Sequence, residues 1–346
     1  MDKINLKNMT LKEMEVFFES IGEKKFRAKQ VYQWLYRGIS SFDEMTDLSK
    51  ELREKLHTYA EIGNLKIIEV QSSKTDGTKK YLFGLEDGNS IESVFMKYKH
   101  GNSICISSQA GCRMGCKFCA STIGGLCRNL TAGEIIDQIV SVEKDTKEKI
   151  SNIVVMGTGE PFDNYDNLFK FIHLANSKEG LNIGMRSITV STCGIVPKIA
   201  EFAKDFPQAN LAISLHAPND EIRNRTMPIN KKYDMEKLLD ACHDYVKDTG
   251  RRITFEYALV SGVNDQSVHA EELSKRLRKI MCHVNLIPLN SVTESGLNGS
   301  SRAYALEFKD RLERLGITTT VRRELGSDID AACGQLRLKN YENLEN

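Results

Sequence analysis

The sequence predicts an α/β protein built around a parallel sheet, with a small helical unit in front of it. From about residue 103 onward, six strand-like runs alternate with helical segments. Strands that are joined through helices must pair in parallel, in an open sheet, a partial barrel or a full barrel. Residues 1–63 show helical periodicity instead, and residues 64–102 show strand-like alternation between turns.

Residues 1–63 are predicted to form amphipathic helices. The first begins at a capping box of Thr10 and Glu13, and two more cover about 26–36 and 48–56. Between the first two lies the basic run EKKFRAKQ, which has two interpretations. It is either a solvated helix start or a surface that contacts RNA phosphates, and charge by itself does not separate them.

Residues 64–102 are predicted to form a β-hairpin extension. The strand-like runs KIIEV, KKYLFGL and SIESVFMKY are separated by turn signals at Asp76-Gly77 and at 86–89. Glu92 lies among apolar neighbours in the third run. Strand alternation by itself predicts that the Glu92 side chain points outward.

The region from 103 to 346 carries the alternation of strands and helices. Its six strand-like runs are SICIS, NIVVMG, SITVST, LAISLH, ITFEYALV and CHVNLIPL. Helices are predicted at about 131–147, 164–177, 195–205, 234–248, 266–280 and 300–315. A final strand-like run, TTTVRR, then precedes ELGSDIDAACGQL and a polar tail.

Five of the six strands end in turn-forming, polar or cysteine-rich sequence. In chain order these ends are the cysteine loop, 157–161, 191–194, 214–218 and 289–290. Each one has an ordinary explanation as a turn or a helix cap. Because parallel strands bring all of these ends to one rim, together they favour a ligand site.

The cysteines indicate a metal centre. There are nine, and an odd number in a cytosolic chain argues against a disulfide framework. Cys112, Cys116 and Cys119 form C-x3-C-x2-C, which lets one loop wrap one iron–sulfur core. Zinc is the competing metal, but it normally takes four protein ligands, and the sequence offers no second ligand pair. Three thiolates leave the fourth iron of a 4Fe-4S cubane open to a ligand that is not protein.

The charge balance gives no general attraction to nucleic acid. The 346 residues include 48 basic and 47 acidic side chains, for a formal net charge of +1. Any RNA binding must therefore depend on basic residues that are clustered locally. The start, MDKINLKNMT, has no apolar signal core, and no apolar run reaches about 18 residues. We expect a cytoplasmic protein without a membrane partner.

Long stretches of the chain resemble one enzyme family. C-x3-C-x2-C at the first strand of an α/β barrel resembles the radical S-adenosylmethionine (SAM) superfamily, and further motifs resemble its RlmN/Cfr family of RNA adenine methyltransferases. These motifs are CISSQAGCRMGCKFCAS, MGTGEP, SLHAPNDEIR, MPINKKY, FEYALVSGVNDQ, HVNLIPLN and DIDAACGQL. The resemblance implies a partial TIM-type (β/α)6 radical-SAM barrel over 103–346. Residues 1–63 would be an RNA-binding accessory domain and 64–102 a β extension.

The resemblance also implies roles for individual residues. The cluster ligands are Cys112, Cys116 and Cys119. The SAM contacts are Gly159, Glu160, Ser191, Ser214, Leu215, His216 and Asn290. Cys333 is the cysteine that becomes S-methylated, and Cys105 is its thiol partner. Glu92 is the proton acceptor, which reverses the outward interpretation from strand alternation.

The reaction that the resemblance implies uses SAM twice. One SAM methylates Cys333, and a second is cleaved reductively to a 5′-deoxyadenosyl radical that takes hydrogen from the new methyl group. The carbon radical adds to adenine, and loss of the ring proton with attack by Cys105 releases the product and leaves a disulfide. The implied substrates are an adenosine in the peptidyl-transferase region of 23S rRNA and, for some members, an adenosine beside the tRNA anticodon.

Two subfamilies differ in the carbon that they methylate. SLHAPNDEIR, INKKY and FDEMTDLSK resemble RlmN-type members, which modify C2 of adenine, rather than Cfr-type members, which modify C8. Alternatives from other classes are a non-catalytic RNA-binding module stabilised by zinc or iron–sulfur, and a radical SAM enzyme for a small molecule or protein. An RNA-binding module would give Cys105 and Cys333 no function, and an enzyme for a small molecule or protein would not need the helical unit. We also expect an external flavodoxin-type electron donor and a monomer.

Overall fold

Ten strands of the described chain form one mixed sheet that organises the fold. The computed structural model describes residues 3–288, 297–329 and 336. Its strands are β1 (Ile4–Asn5), β2 (Ala60–Glu61), β3 (Lys66–Ser72), β4 (Lys79–Gly84), β5 (Ser90–Tyr98), β6 (Gly101–Cys105), β7 (Gln109–Gly111), β8 (Leu126–Asn129), β9 (Ile150–Val155), β10 (Ile188–Thr192), β11 (Asn210–Ser214), β12 (Ile253–Leu259), β13 (Cys282–Pro288) and β14 (Thr319–Val321). Its α-helices are α1 (Leu11–Ser20), α2 (Lys25–Leu35), α3 (Lys50–Tyr59), α4 (Ala132–Thr146), α5 (Tyr165–Asn176), α6 (Val196–Asp205), α7 (Asp220–Thr226), α8 (Met235–Thr249), α9 (Ser267–Leu277) and α10 (Arg302–Arg314).

The sheet combines a parallel region with an antiparallel region. Over the described residues its order is β14-β13-β12-β11-β10-β9-β6-β5-β4-β3. Every pair from β6 to β14 is parallel, whereas β3, β4, β5 and β6 pair antiparallel. The predicted α/β class is therefore confirmed, and the run TTTVRR adds β14 to the six predicted parallel strands. The strands predicted as a β extension continue the same sheet, because β5 pairs directly with β6.

The helices match the sequence periodicity closely. Each predicted helix in the α/β region agrees with an observed helix to within three residues at either end. Neither α7 nor the β7–β8 hairpin was predicted, because elements of seven, three and four residues are too short to show a clear period. None of the described helices is both long and apolar enough to cross a membrane.

The two faces of the parallel region differ in polarity. On one face, Ile104, Val190, Ile213 and Phe255 are fully buried in a cluster that includes apolar side chains from the surrounding helices. On the other face a row of polar residues lies in register across β11 to β14. This row is Ser214, Glu256, Asn285 and Thr320. The sheet thus has an apolar outer face under the helices and a polar inner face, as the wall of a ligand-binding partial barrel requires.

The N-terminal helical unit is fixed to α4 by a buried polar contact. Lys7 and Asp137 form an ion pair in which both side chains are almost fully buried. The same carboxylate accepts the backbone N–H of Leu65 at 2.6 Å, and the Lys7 ammonium also donates to the Asn64 amide oxygen at 2.7 Å. Because a buried charge without its partner costs ~3–5 kcal/mol, the pair holds the unit in one position on the sheet and helix scaffold.

Candidate functional site

The three cysteines of the motif lie on one loop, between β7 and β8. Gly111, the residue before Cys112, has a φ of 79°, and a Cβ there would lie 2.0 Å from the carbonyl oxygen of Gly125. Only glycine allows this approach, which lets the Cys112 N–H donate to that same carbonyl at 2.9 Å. Cys112 is buried, whereas Cys116 and Cys119 are half-buried. The hairpin thus holds the start of the cysteine loop at the end of the barrel.

Contacts from neighbouring strand ends hold the other side of the cysteine loop. The Lys117 N–H donates to the carbonyl of Thr226 at 2.9 Å. The Phe118 ring meets the His216 imidazole edge to face, with 4.8 Å between the ring centroids. The loop therefore packs against groups that follow β11, a strand on the far side of β9 and β10 in the sheet.

The electrostatics of Cys112 and Cys116 fit a cationic metal centre. Burial raises the pKa of Cys112 to about 12, and burial together with the neighbouring thiols raises the pKa of Cys116. Thiolates at these positions are therefore disfavoured until a positive charge compensates them, which an iron–sulfur core supplies. Within the described residues, no group of three His, Cys, Asp or Glu side chains has the arrangement that a single metal ion needs. Cysteine sulfurs that share one loop fit a larger cluster held by three thiolates.

The glycine turn after β9 packs against the start of the cysteine loop. Gly159 has a φ of 109°, and a Cβ there would lie 2.6 Å from the Cβ of Gln109. A Cβ on Gly157 would lie 2.7 Å from the carbonyl oxygen of Ile106. The structure therefore explains both glycines, because a side chain at either position would collide with Ile106 or Gln109 of the same chain. The Gln109 side chain then accepts the N–H of Glu160 at 2.8 Å and fixes the next residue.

Glu160 connects the ends of β9 and β10. Its buried carboxylate accepts the N–H of Phe162 at 3.0 Å and the N–H of Cys193 at 2.8 Å. Burial raises the pKa of Glu160, and the hydrogen bonds from Cys193 and Phe162 oppose that rise. The carboxyl group is thus held in a defined position next to the cysteine loop, with its proton affinity increased.

The next two strand ends supply hydroxyl and imidazole groups. The hydroxyls of Ser191 and Ser214 lie 3.4 Å apart, and Leu215 is fully buried. His216 adopts a left-handed φ of 55° and accepts the N–H of Ala258 on its Nδ1 atom at 2.9 Å. Burial lowers the pKa of His216 to about 3. The imidazole is therefore neutral and carries its hydrogen on Nε2.

Arg223 stabilises this arrangement, although the sequence analysis gave it no role. The guanidinium group is fully buried and donates to the backbone carbonyls of Cys193 at 2.7 Å, Leu215 at 3.2 Å and Ser214 at 3.3 Å. It also donates to the Asn230 side chain at 2.9 Å. One cation thus joins the ends of β10 and β11. The only signal for it in the sequence was its place in SLHAPNDEIR.

Cys105 and Glu92 lie on the inner face of the sheet. Cys105 pairs with Val94, and Glu92 lies two residues from Val94 on the same strand, so all three side chains share one face. Glu92 is 4% exposed, and its carboxylate lies 3.0 Å from the ammonium of Lys80, which is 0% exposed. The prediction from strand alternation, that Glu92 points outward, is wrong in that the side chain is covered and ion-paired.

The C-terminal segment approaches the same face. Leu325 packs against the small cluster of Val94, Met96 and Cys105. The segment is anchored to the turn between β3 and β4, where Asp328 accepts the Ser73 hydroxyl at 2.7 Å and the Lys74 N–H at 2.8 Å. Of the predicted site residues, Asn290 and Cys333 lie outside the described residues.

The remaining predicted residues collect in two groups. Those at the ends of β9, β10 and β11 form the first group, in which Gly159 packs against Gln109 and His216 contacts Phe118 of the cysteine loop. Cys105 and Glu92 form the second group, on the inner face beside the C-terminal segment. Lys80, which completes this second group, gave no signal in the sequence.

Comparison with known proteins agrees with this geometry. Residues 4–62 match the family described as the ribosomal RNA large subunit methyltransferase N-terminal domain, and residues 106–273 match the radical SAM superfamily. The chain is 58% identical over 336 residues to a probable dual-specificity RNA methyltransferase RlmN of Caldanaerobacter subterraneus, covering 97% of this chain and 98% of the relative. A protein of the same description from Alkaliphilus oremlandii is 55% identical and is covered completely, with 99% of this chain.

A solved structure shares the whole architecture. The crystal structure of a radical SAM methyltransferase from Sphaerobacter thermophilus superposes with a TM-score of 0.92 at 43% identity, covering 96% of this chain and 98% of that one. The superfamily uses a 4Fe-4S cluster and SAM, and the thiols of the cysteine loop fit such a cluster. From its fold, its cysteine loop and these similarities, the chain belongs to the RlmN family of radical SAM RNA methyltransferases.

Proposed function

We propose that this protein methylates C2 of an adenosine in the peptidyl-transferase region of 23S rRNA, and an anticodon-loop adenosine of tRNA, through an S-methylated Cys333. The relatives described as dual-specificity RNA methyltransferases support both substrates. The observation that carries the proposal is the inner-face group. Cys105 and Glu92 share one sheet face, and Leu325, in the segment that leads to Cys333, packs against the small cluster that includes Cys105.

The rim of the barrel would bind the cluster and SAM. Cys112, Cys116 and Cys119 would hold the 4Fe-4S cluster, which when bound supplies the electron for reductive cleavage of SAM. The residues that would bind and orient SAM are Gly159, Glu160, Ser191, Ser214, Leu215, His216 and Asn290. Among them, the fixed carboxyl of Glu160 and the paired serine hydroxyls offer hydrogen-bond partners for the amino and hydroxyl groups of SAM.

Two thiols are needed because the target carbon is unreactive. An aromatic C–H is a poor nucleophile, so polar methyl transfer from SAM to C2 is not available. The Cys333 thiolate can accept a methyl group by polar displacement, and a second SAM then prepares that methyl carbon for addition to adenine. In the adduct, Glu92 would accept the C2 proton. The Cys105 thiolate would attack the Cys333 sulfur and form a disulfide, the electron pair of the broken carbon–sulfur bond would stay on the former methyl carbon, and a proton taken up there would complete the new methyl group. The unpaired electron of the adduct would return to the oxidised cluster.

The N-terminal unit would contact the RNA. At the start of α2, Phe26 is 56% exposed, and the Arg27 guanidinium lies 4.9 Å from its ring centroid. An exposed aromatic ring beside basic side chains suits a single-stranded RNA segment, because bases stack on the ring and cations bind phosphates. We propose that the enzyme acts as a monomer and receives electrons from a flavodoxin-type donor.

The experiment is anaerobic reconstitution with iron and sulfide, followed by turnover with SAM, a chemical reductant and either an rRNA fragment or tRNA. Nucleoside mass spectrometry with synthetic standards separates 2-methyladenosine from 8-methyladenosine. We expect 2-methyladenosine from both RNAs, none from Cys333→Ala, and undiminished product from Cys127→Ala, which replaces an exposed cysteine. Formation of 8-methyladenosine, or equal methylation by Cys333→Ala, would overturn the proposal.

A further inference from the structure

The partner of Glu92 is Lys80, a buried lysine on the neighbouring strand. Lys80 lies directly across from Val94, and Val94 is in turn across from Cys105. Glu92, two residues along β5, is diagonal to both Lys80 and Cys105 on this face. Its carboxylate lies 3.0 Å from the Lys80 ammonium, and the two side chains are 4% and 0% exposed. One buried ion pair therefore adjoins the proposed resolving thiol.

Burial makes the two charges of this pair depend on each other. A carboxylate removed from water favours its protonated form unless a cation lies close, and a buried ammonium favours its neutral form unless an anion lies close. A base that must take a proton from carbon has to begin as the carboxylate. The Lys80 ammonium places such a cation 3.0 Å from the Glu92 carboxylate.

We propose that Lys80 is a positioning residue that keeps Glu92 ionised and aimed at the inner face, so that Glu92 can accept the C2 proton of the RNA adduct. This inference rests on the proposed function. In the step, the C2–H bond breaks, its electron pair stays in the adenine ring, and the proton binds a Glu92 oxygen. The net charge of the Lys80–Glu92 pair then changes from zero to +1.

Among the described residues, two titratable groups on the neighbouring strands share this face. Strand β6 contributes the thiol of Cys105. Strand β3 contributes Glu69, which is across from Leu82, and Leu82 is across from Glu92. The Glu69 carboxylate accepts a hydrogen bond from Gln71 at 2.9 Å. From the C-terminal segment the contact is the apolar Leu325. Among these described neighbours, Lys80 is the cation on the face.

The test compares Lys80→Met with two controls. The double variant Lys80→Met/Glu92→Gln removes both charges and so controls for folding, because replacing both members of a buried pair is often neutral. Lys7→Met breaks a second buried lysine pair, with Asp137 on α4. The first readout needs no cluster: carbon-13 NMR of glutamate carboxyl carbons, with the Glu92 signal assigned by its loss in Glu92→Gln. We expect the Glu92 signal of Lys80→Met at neutral pH to move, relative to the wild type, in the direction of a protonated carboxyl group, because the variant lacks the adjacent cation.

The second readout is the fate of the RNA adduct in reconstituted enzyme. At about pH 7, Lys80→Met should accumulate the covalent protein–RNA adduct and resolve it at least ~100-fold more slowly than the wild type. The rate should recover as the pH rises and Glu92 ionises, whereas Lys7→Met should show no such accumulation. A wild-type enzyme that makes no 2-methyladenosine would refute the proposed function. A wild-type enzyme that makes it, together with a Lys80→Met variant of equal rate and equal pH profile, would refute the role of Lys80.

Discussion

The buried imidazole of His216 predicts a loss of stability on mild acidification. Burial lowers the pKa of His216 to about 3, whereas an imidazole in an unfolded chain titrates near ~6.5. Between these values the unfolded state binds more protons than the folded state. The stabilisation is therefore complete above pH ~6.5 and is lost as the pH falls toward the folded pKa. From about pH 7 to about pH 5, this group alone should remove ~2 kcal/mol from the free energy of unfolding.

Replacement of His216 by asparagine isolates this contribution. Asparagine adopts the left-handed conformation more readily than most residues, and its side-chain oxygen can accept the Ala258 N–H in place of the imidazole. Urea unfolding of the reduced, cluster-free protein at several pH values gives the free energy of unfolding for each variant. The wild type should lose ~2 kcal/mol more than His216→Asn over this range. His243→Asn, on the exposed side of α8, is the matched control and should follow the wild type.

Equal pH slopes for the wild type and His216→Asn would refute the reasoning. Such a result would mean that the folded protein binds the proton as readily as the unfolded chain does. The Nδ1 atom would then not be the acceptor of the Ala258 N–H, and the neutral imidazole beside Phe118 would be the wrong description of this strand end.

Three further variants test other parts of the structure. Gly159→Ala should lower the free energy of unfolding by ~2–4 kcal/mol, against ~1 kcal/mol for Gly22→Ala, because both glycines have positive φ but only Gly159 lacks room for a methyl group; equal thermal melts would contradict this. Asp137→Asn should cost ~3 kcal/mol by leaving Lys7 buried without its counter-ion, and hydrogen exchange in the N-terminal unit should accelerate; unchanged protection would count against the docking contact. Cys105→Ala should accumulate a covalent protein–RNA adduct on denaturing gels, and recovery of unmodified free RNA alone would argue against its resolving role.

The periodic parts of the fold could be predicted because each strand or helix carries its own signal. Strand-like runs such as NIVVMG and LAISLH alternate with helical segments, and this alternation predicted the parallel sheet. Because parallel strands end on the same side of a sheet, the sequence also predicted that the strand ends would meet at one rim. The capping box of Thr10 and Glu13 is present where the sequence suggested it, at the start of α1. Short elements such as α7 were missed because seven residues hold too few repeats to identify a helix.

The polar contacts inside the fold could not be predicted from pattern. Lys80 and Glu92 both look like solvent-facing residues of alternating strands, and only their pairing across β4 and β5 reveals that they are buried together. Arg223 reads as an ordinary charge on a short helix, yet its four acceptors come from three other segments of the chain. Long-range partners decide whether a charge can be buried, and a local window contains no information about them.

The anchor at Asp328 has a consequence for the rate of the proposed thiol exchange. Cys333 follows Asp328 by five residues, so even a fully extended chain places it within ~18 Å of a point fixed on the sheet. A group tethered this closely behaves as though it were dissolved at millimolar concentration or more. The reaction of Cys333 with Cys105 is then first order in enzyme, and diluting the protein leaves its rate unchanged. Small thiols in solution would have to match that effective concentration in order to intercept it.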